Sequence, residues 1–407
     1  MLTTDVAIVG GGPAGAAAAI TLARAGRDVV VVDRARFPRD KCCGDGLTTG
    51  ALRLYESLGL QPETVPSWQV VDDVMVSSPS GRTVRFPLPR GAGTYAAVAR
   101  RADLDAAFLD VARAAGAKVH DGHTLTSARP TNDGAAVELD VDGLGPVVAR
   151  YAIGADGMWS PLRKALAAGD EPGYLGEWHA FRQYFTDVGP RARDLWVWFE
   201  VDLLPGYAWS FPLPDGRANV GFGIQRRAGQ PTHSMKEQWP ELLARPALRD
   251  VLGPDAAPEG PHKAWPIPAR VERTALSAGG GRALFVGDAA RAPDPMTGEG
   301  IGQALETGVL AAESVLAAGA LQPAVAAARY ATAVRSGVGV DNRLAQWLSL
   351  HGLAHRKGAR GAVRLAGVSD WTRRNFARWL FEDYPRAILA TPHRWHRGLL
   401  TGPGAYR

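Results

Sequence analysis

The sequence predicts an α/β fold, α+β overall: a parallel-sheet domain interrupted by an antiparallel sheet and followed by a helical tail. Three observations predict it. Gly10-Gly11-Gly12-Pro13-Ala14-Gly15 lies between the apolar run Val6-Ala7-Ile8-Val9 and an alanine-rich helical run over residues 16–25. Asp156-Gly157 and Gly287-Asp288, far along the chain, each follow an apolar strand, as ligand contacts at the carboxyl ends of one parallel sheet require. Between these two pairs the pattern turns to short aromatic strands.

The opening unit reads as βαβ, with glycines at the three positions of G-x-G-x-x-G. Gly10 makes the tight turn, Gly12 lets a pyrophosphate approach the backbone, and Gly15 lets helix and strand pack closely. Pro13 and Ala14 open the helix, whose free N–H groups and dipole face the phosphates. The second strand, Val29-Val30-Val31-Val32, ends on Asp33, placed to accept from ribose hydroxyls. That acid argues against a 2′-phosphate, although Arg34 follows it. The unit is Rossmann-like and predicts a bound dinucleotide; alone it leaves NAD and FAD both open.

In the next loop, Pro38 breaks any helix, and Gly44 and Gly46 permit unusual backbone angles where a flat ligand approaches. This loop is a candidate for touching the cofactor's reactive end. A helix follows over 49–58, and residues 70–90 read as short strands of a β excursion. The chain returns through a helix over 102–115, and an apolar strand over 147–153 runs into Asp156-Gly157. Leu195-Trp196-Val197-Trp198-Phe199 and Tyr207-Ala208-Trp209-Ser210-Phe211-Pro212 flank a Pro-Gly turn. Strand period two puts Tyr207, Trp209 and Phe211 on one face, with Trp196 and Trp198 as weaker candidates for the same wall. Leu284-Phe285-Val286 reads as one more parallel strand, followed by a helix over 301–316. The expected domains are residues 1–72, 96–165 and 272–330 for the nucleotide; 73–95 and 166–271 for a substrate-binding β domain; and 331–407 for a helical basic region.

Composition excludes several classes. With 407 residues, 46% hydrophobic and 21% charged, the chain is long enough for two or three packed domains and is not disordered. Twelve tryptophans, most of them after residue 150, put flat apolar surface in the later part. The formal charge of +5 is uneven: residues 351–407 hold eleven Lys/Arg against three Asp/Glu. The adjacent Cys42 and Cys43 close no useful loop, so a reducing compartment is expected. The uncharged run over 6–23 carries four glycines and a proline and has no basic flank, so it reads as the buried βα unit and not as an anchor. The pairs His351/His355 and His393/His396 have no accompanying carboxylate or thiolate pattern, so no metal is expected. No nucleic-acid-binding fold accompanies the basic tail.

The three glycine motifs together resemble those of the FAD-dependent reductase and hydroxylase superfamily typified by p-hydroxybenzoate hydroxylase. Within it the chain most resembles the geranylgeranyl reductases, including the menaquinone side-chain reductases. Lys41-Cys42-Cys43-Gly44-Asp45-Gly46 resembles that family's K-x-C-G-G/D-G loop, with Cys42 where relatives often carry proline. Tyr207-Ala208-Trp209-Ser210-Phe211-Pro212 matches its Y-x-W-x-F-P signature. Gly287-Asp288-Ala289-Ala290 with Pro295 and Thr297-Gly298-Glu299-Gly300-Ile301 matches its Gly-Asp segment. The resemblance covers residues 1 to about 330 and implies FAD as cofactor.

It further implies that Asp288 binds the ribityl chain, that Asp156 and Gly157 support the pyrophosphate turn, and that Arg100 and the Leu125 backbone contact the dinucleotide half. The turn Gly298, Gly300, Ile301 and Gly302 opens a helix whose dipole stabilises negative charge at flavin N1. Cys43 has two readings, a proton donor near flavin N5 or a small residue packed beneath the ring. Tyr207 and Trp209 are the other candidates at the reacting end, lining a tunnel for an isoprenoid chain. The implied activity is saturation of isolated C=C bonds in a geranylgeranyl or menaquinone-type chain by hydride from reduced flavin. The alternative on the same scaffold is an FAD-dependent monooxygenase or halogenase. The external donor, NAD(P)H or a reduced protein carrier, is left open. Residues 371–395, with Arg373, Arg374, Arg378, Arg386 and Arg394 among Trp379, Phe381 and Tyr384, read either as an interfacial membrane contact or as a basic helix capping the substrate domain. The expected location is the cytoplasm, with the protein either free there or peripheral on the inner face of the cell membrane.

Overall fold

The computed structural model describes residues 1–89, 93–169, 173–226, 235–395 and 397–399. His396 lies outside them. The first sheet is ordered Ser277–Ala278, Ala283–Phe285, Gly145–Gly154, Leu2–Val9, Val29–Asp33, Lys118–Asp121. Its central pairings are parallel, and Val29–Val32 is β-branched and, with Asp33, buried throughout, as a strand covered on both faces is. Helix Pro13–Arg24 covers one face together with Ile301–Ala318. Gly15 lets the start of Pro13–Arg24 close on the preceding turn, because a Cβ there would stand 1.8 Å from the Gly10 carbonyl oxygen. Val137–Val141 and Leu125–Pro130 extend the sheet as an antiparallel flap.

The second sheet has seven strands, ordered Ala257–Ile267, Trp178–Thr186, Arg217–Gln225, Tyr207–Leu213, Leu195–Trp198, Asp73–Ser77, Thr83–Pro87. Every pairing is antiparallel except that of Leu195–Trp198 with Asp73–Ser77. Register decides its two faces. Val197 stands opposite Trp209, so Trp196 and Trp198 point away from the Tyr207–Phe211 side. They stack on each other at 5.5 Å between centroids, inside a core shared with Phe222 and Trp239. The wall expected from them is therefore made by other residues.

Gln69–Val70 does not join the β excursion either. It pairs with Ala97–Val98, which also pairs with Gly46–Leu47, in a small third sheet that pins the end of the Cys43 loop.

The C-terminal helices pack on both sheets. Asp370–Leu380, started by a capping box between Ser369 and Thr372, lies on Thr83–Pro87, with Phe376 and Phe86 centroids 5.1 Å apart. Arg378 and Arg386 are buried in ion pairs with Asp383 and Asp294, and Arg394 pairs with Asp341. The basic composition of residues 371–395 thus belongs partly to the interior. Among the described residues no helix is long and apolar enough to cross a membrane.

Candidate active site

The carboxyl ends of the parallel strands face the seven-stranded sheet across a cleft of about 900 Å³. At one end, Gly10, Gly12, Pro13 and Ala14 form its floor. Gly12 caps helix Pro13–Arg24 without a side-chain acceptor, which leaves first-turn N–H groups open to an anion. Asp33 and Arg34 stand beside them, and the Asp33 carboxylate accepts from the N–H groups of Gly11 at 2.7 Å and Ala35 at 2.8 Å. Asp33 therefore builds the turn as well as facing the cleft.

Asp156 and Gly157 line the same end, the Asp156 carboxylate accepting from Ser160 Oγ at 2.6 Å and Leu162 N–H at 2.9 Å. Burial pushes Asp156 up to about 6. Leu125 lines the cleft, and Gly287 and Asp288 reach it from the end of Ala283–Phe285. Lys41 Nζ is 3.9 Å from Asp288 and 4.2 Å from the Trp265 ring centroid, and burial lowers its pKa.

The other end is where Cys43, Gly44 and Gly46 meet Gly298, Gly300 and Ile301. Tyr207, Trp209 and Phe211 form one wall, each ring centroid 5.9 Å from the next. Trp178 and Trp265, from the strands at the far edge of the same sheet, continue it. Tyr207 donates to the Thr297 carbonyl, which ties the wall to the turn before helix Ile301–Ala318.

A buried network joins the wall to the loop. Trp209 Nε1 donates to Asn219 Oδ1 at 3.1 Å; Asn219 Nδ2 donates to the Cys43 carbonyl at 2.9 Å and to Asp45 Oδ2 at 2.8 Å. Tyr184 donates to the same Asp45 oxygen at 2.6 Å, and Asp45 N–H donates to Cys43 Sγ at 3.3 Å. Burial pushes Asp45 up to about 6 and the Cys43 thiol up to about 11, so Cys43 keeps its proton at neutral pH.

Four expected residues stand back from the cleft. Gly15 serves packing. Arg100 turns away to pair with Glu259 and stacks 4.5 Å over Tyr184, while its neighbour Arg101 lines the cleft, held by Asp105 through two 2.8 Å bonds. Pro295 contributes its carbonyl to Trp178 Nε1 at 2.9 Å, and Gly302 lies behind Ile301. Sequence reasoning missed Arg101, Asn219, Trp178 and Trp265. Asn219 carried a signal, a polar side chain in an otherwise apolar glycine-rich strand.

The donor set suits a dinucleotide with a flat ring: uncapped helix N–H groups at one end, glycines beneath an aromatic wall at the other. The comparisons agree. The FAD binding domain family model matches residues 3–318. A menaquinone reductase of Mycolicibacterium smegmatis is 34% identical over 387 residues, covering 85% of each chain. Digeranylgeranylglycerophospholipid reductase 1 of Methanopyrus kandleri is 32% identical over 318 residues, 76% of this chain and 79% of that one. A geranylgeranyl bacteriochlorophyll reductase-like crystal structure from Thermoplasma acidophilum has the same fold, with a TM-score of 0.78 and 21% identity over 97% of this chain and 99% of that one. The chain belongs to the FAD-binding flavoprotein family and, within it, to the oxidoreductases that include the menaquinone and digeranylgeranylglycerophospholipid reductases.

Proposed function

We propose that this flavoenzyme saturates isolated C=C bonds in an isoprenoid chain, of menaquinone or geranylgeranyl-lipid type. The observation that supports this most is the apposition, in one cleft, of the Cys43 loop and the wall of Tyr207, Trp209 and Phe211. A long apolar chain needs flat apolar walls, and an unactivated alkene has no carbonyl to hold charge as it reacts. Aromatic faces stabilise a cation-like carbon at such a point. Bound FAD supplies hydride chemistry; the protein supplies placement and electrostatics.

In this reading Gly10, Gly12, Pro13 and Ala14 hold the pyrophosphate, with Asp156 and Gly157 buttressing it and Asp33 and Arg34 at the ribose. Asp288 and Gly287 hold the ribityl chain. Cys43, Gly44 and Gly46 lie against the ring, and Gly298, Gly300 and Ile301 at its polar edge. Cys43, Tyr207 and Trp209 shape the reacting end. Residues 1–72, 96–165 and 272–330 form the cofactor domain, and the inserted β domain binds the chain. NAD(P)H and a reduced protein carrier both remain open as donors. The test is the mass of organic-extracted lipid after incubation with enzyme and dithionite. Addition of hydrogen pairs is expected; unchanged mass across quinone, diphosphate and glycerolipid substrates, or addition of oxygen, contradicts the reading.

A lipid surface as partner has its own support. Trp347, Leu365, Val368 and Trp371 are each more than half exposed. They lie on helix Val338–Leu348, at the end of Arg356–Ala366, in the turn after it and at the start of Asp370–Leu380, and Arg356–Ala366 carries Arg356, Lys357, Arg360 and Arg364. Apolar anchors beside a positive face suit an anionic bilayer. The protein is expected to sediment with phosphatidylglycerol vesicles and to lose most of that binding in Leu365→Ser/Trp371→Ser; no sedimentation at low salt contradicts it.

A further inference from the structure

Three carboxyl groups converge on the reactive end of the cleft against a single guanidinium. Asp294 and Glu299 come from the turn before helix Ile301–Ala318, and Glu382 from the segment after Asp370–Leu380. Arg386 Nε is 2.8 Å from Asp294 Oδ2, and its Nη2 is 3.5 Å from Glu382 Oε1. Glu382 also accepts from Thr48 Oγ1 and Gln303 Nε2 at 2.8 Å each, and Asp294 accepts from Met296 N–H at 2.6 Å. Glu299 is the least compensated. Its Oε1 accepts from the N–H groups of Ile301 and Gly302, at 2.9 and 3.4 Å, and among the described residues no cation pairs with it. It lines the cleft, and of the three carboxyls it alone does so.

One positive charge beside three enclosed carboxyls disfavours their all being ionised together, and Glu299, which has no cation of its own among the described residues, is where that pressure falls. Burial, then the charge on Glu382, pushes Glu299 up to about 7, with Asp294 adding to the rise and the two helix N–H groups opposing it. The other titratable and charged groups facing it are Cys43 on the loop, Tyr207 on the aromatic strand, Tyr55 on helix Thr49–Ser57, and Arg386. A proton donor works best with its pKa near the operating pH. Cys43 is at about 11 and Tyr207 is raised further, so Glu299 is the stronger acid by roughly four powers of ten or more.

We infer that Glu299 donates the proton that completes reduction of the C=C bond. This rests on the reductase function proposed above. With FAD bound, its reduced form would supply a hydride to one alkene carbon and lose two electrons; the other carbon takes the proton of the Glu299 carboxyl. The π bond, the Glu299 O–H bond and the bond that holds the hydride on the reduced cofactor break, two C–H bonds form, and the carboxylate left behind is reprotonated from water.

Glu299→Gln keeps the oxygen that accepts from Ile301 and Gly302, so it preserves the helix start. It is expected to lower kcat on the order of 100- to 1,000-fold with FAD retained and KM within about threefold. In the wild type, kcat is expected to fall as pH rises through about 7, because the acid form disappears. Glu382→Gln, which removes the neighbouring charge, is expected to move that limb to lower pH. The carboxyl itself is read without substrate by its infrared carboxylic-acid band, which is expected to titrate near pH 7 and to vanish in Glu299→Gln. More than a third of wild-type kcat in Glu299→Gln, an unmoved limb in Glu382→Gln, or no such band overturns the proposal. A titrating band in an enzyme that reduces no polyprenyl substrate overturns the reductase reading, and this role with it.

Discussion

Arg386→Met is expected to destabilise the fold by about 3–5 kcal/mol, read as a fall in the denaturant midpoint. Arg386 is 4% exposed and is the only cation paired with Asp294 and Glu382 among the described residues. Its Nη1 also donates to the carbonyls of Trp379 at 2.6 Å and Leu380 at 3.0 Å, closing the end of helix Asp370–Leu380. Methionine fills similar volume but leaves two buried carboxyls and two carbonyls without their donor, and an uncompensated buried charge is the expensive part. The double variant Arg386→Met/Glu382→Gln removes one of those charges and is expected to recover part of the loss. A single-variant loss below about 1 kcal/mol contradicts this account of the cluster.

Asn219→Ala is expected to lower kcat on the order of 100-fold while FAD stays bound and KM changes much less. Asn219 is fully buried, and its side chain hydrogen-bonds the Trp209 indole, the Cys43 carbonyl and the Asp45 carboxylate together. Removing it unties the aromatic wall from the loop and leaves buried donors and acceptors unsatisfied, which also costs roughly 1–3 kcal/mol of stability. A merely structural role would lower the unfolding midpoint without separating kcat from KM. Equal changes in both, or full turnover, would exclude a positioning role for the network.

The parallel sheet was legible because its strands are buried on both faces and read as continuous apolar runs. Leu2–Val9, Val29–Asp33, Gly145–Gly154 and Ala283–Phe285 each showed such a run, with glycine and aspartate at the ligand-facing ends. The face shared by Tyr207, Trp209 and Phe211 followed from strand period alone. What period cannot supply is register between strands. Trp196 and Trp198 have the same spacing, yet Val197 is the residue opposite Trp209, so the two tryptophans point into the other core. The same limit hid Trp178 and Trp265, which reach the wall from strands across the sheet. Charge composition was misleading in the tail for a related reason. Arg386 is spent on Asp294, 92 residues away, and no local pattern announces that pair. Arg100 and Arg101 are adjacent, and which of them faces the cleft depends on Asp105 one helical turn later and on Glu259 from the far sheet.

The most direct test of the account is anaerobic mixing of photoreduced enzyme with a polyprenyl substrate while flavin absorbance is followed. The account predicts that the oxidised flavin spectrum returns without oxygen, in step with a gain of hydrogen pairs in the extracted lipid. Flavin that stays reduced with quinone, diphosphate and glycerolipid substrates alike, and reoxidises only when oxygen is admitted, would contradict it.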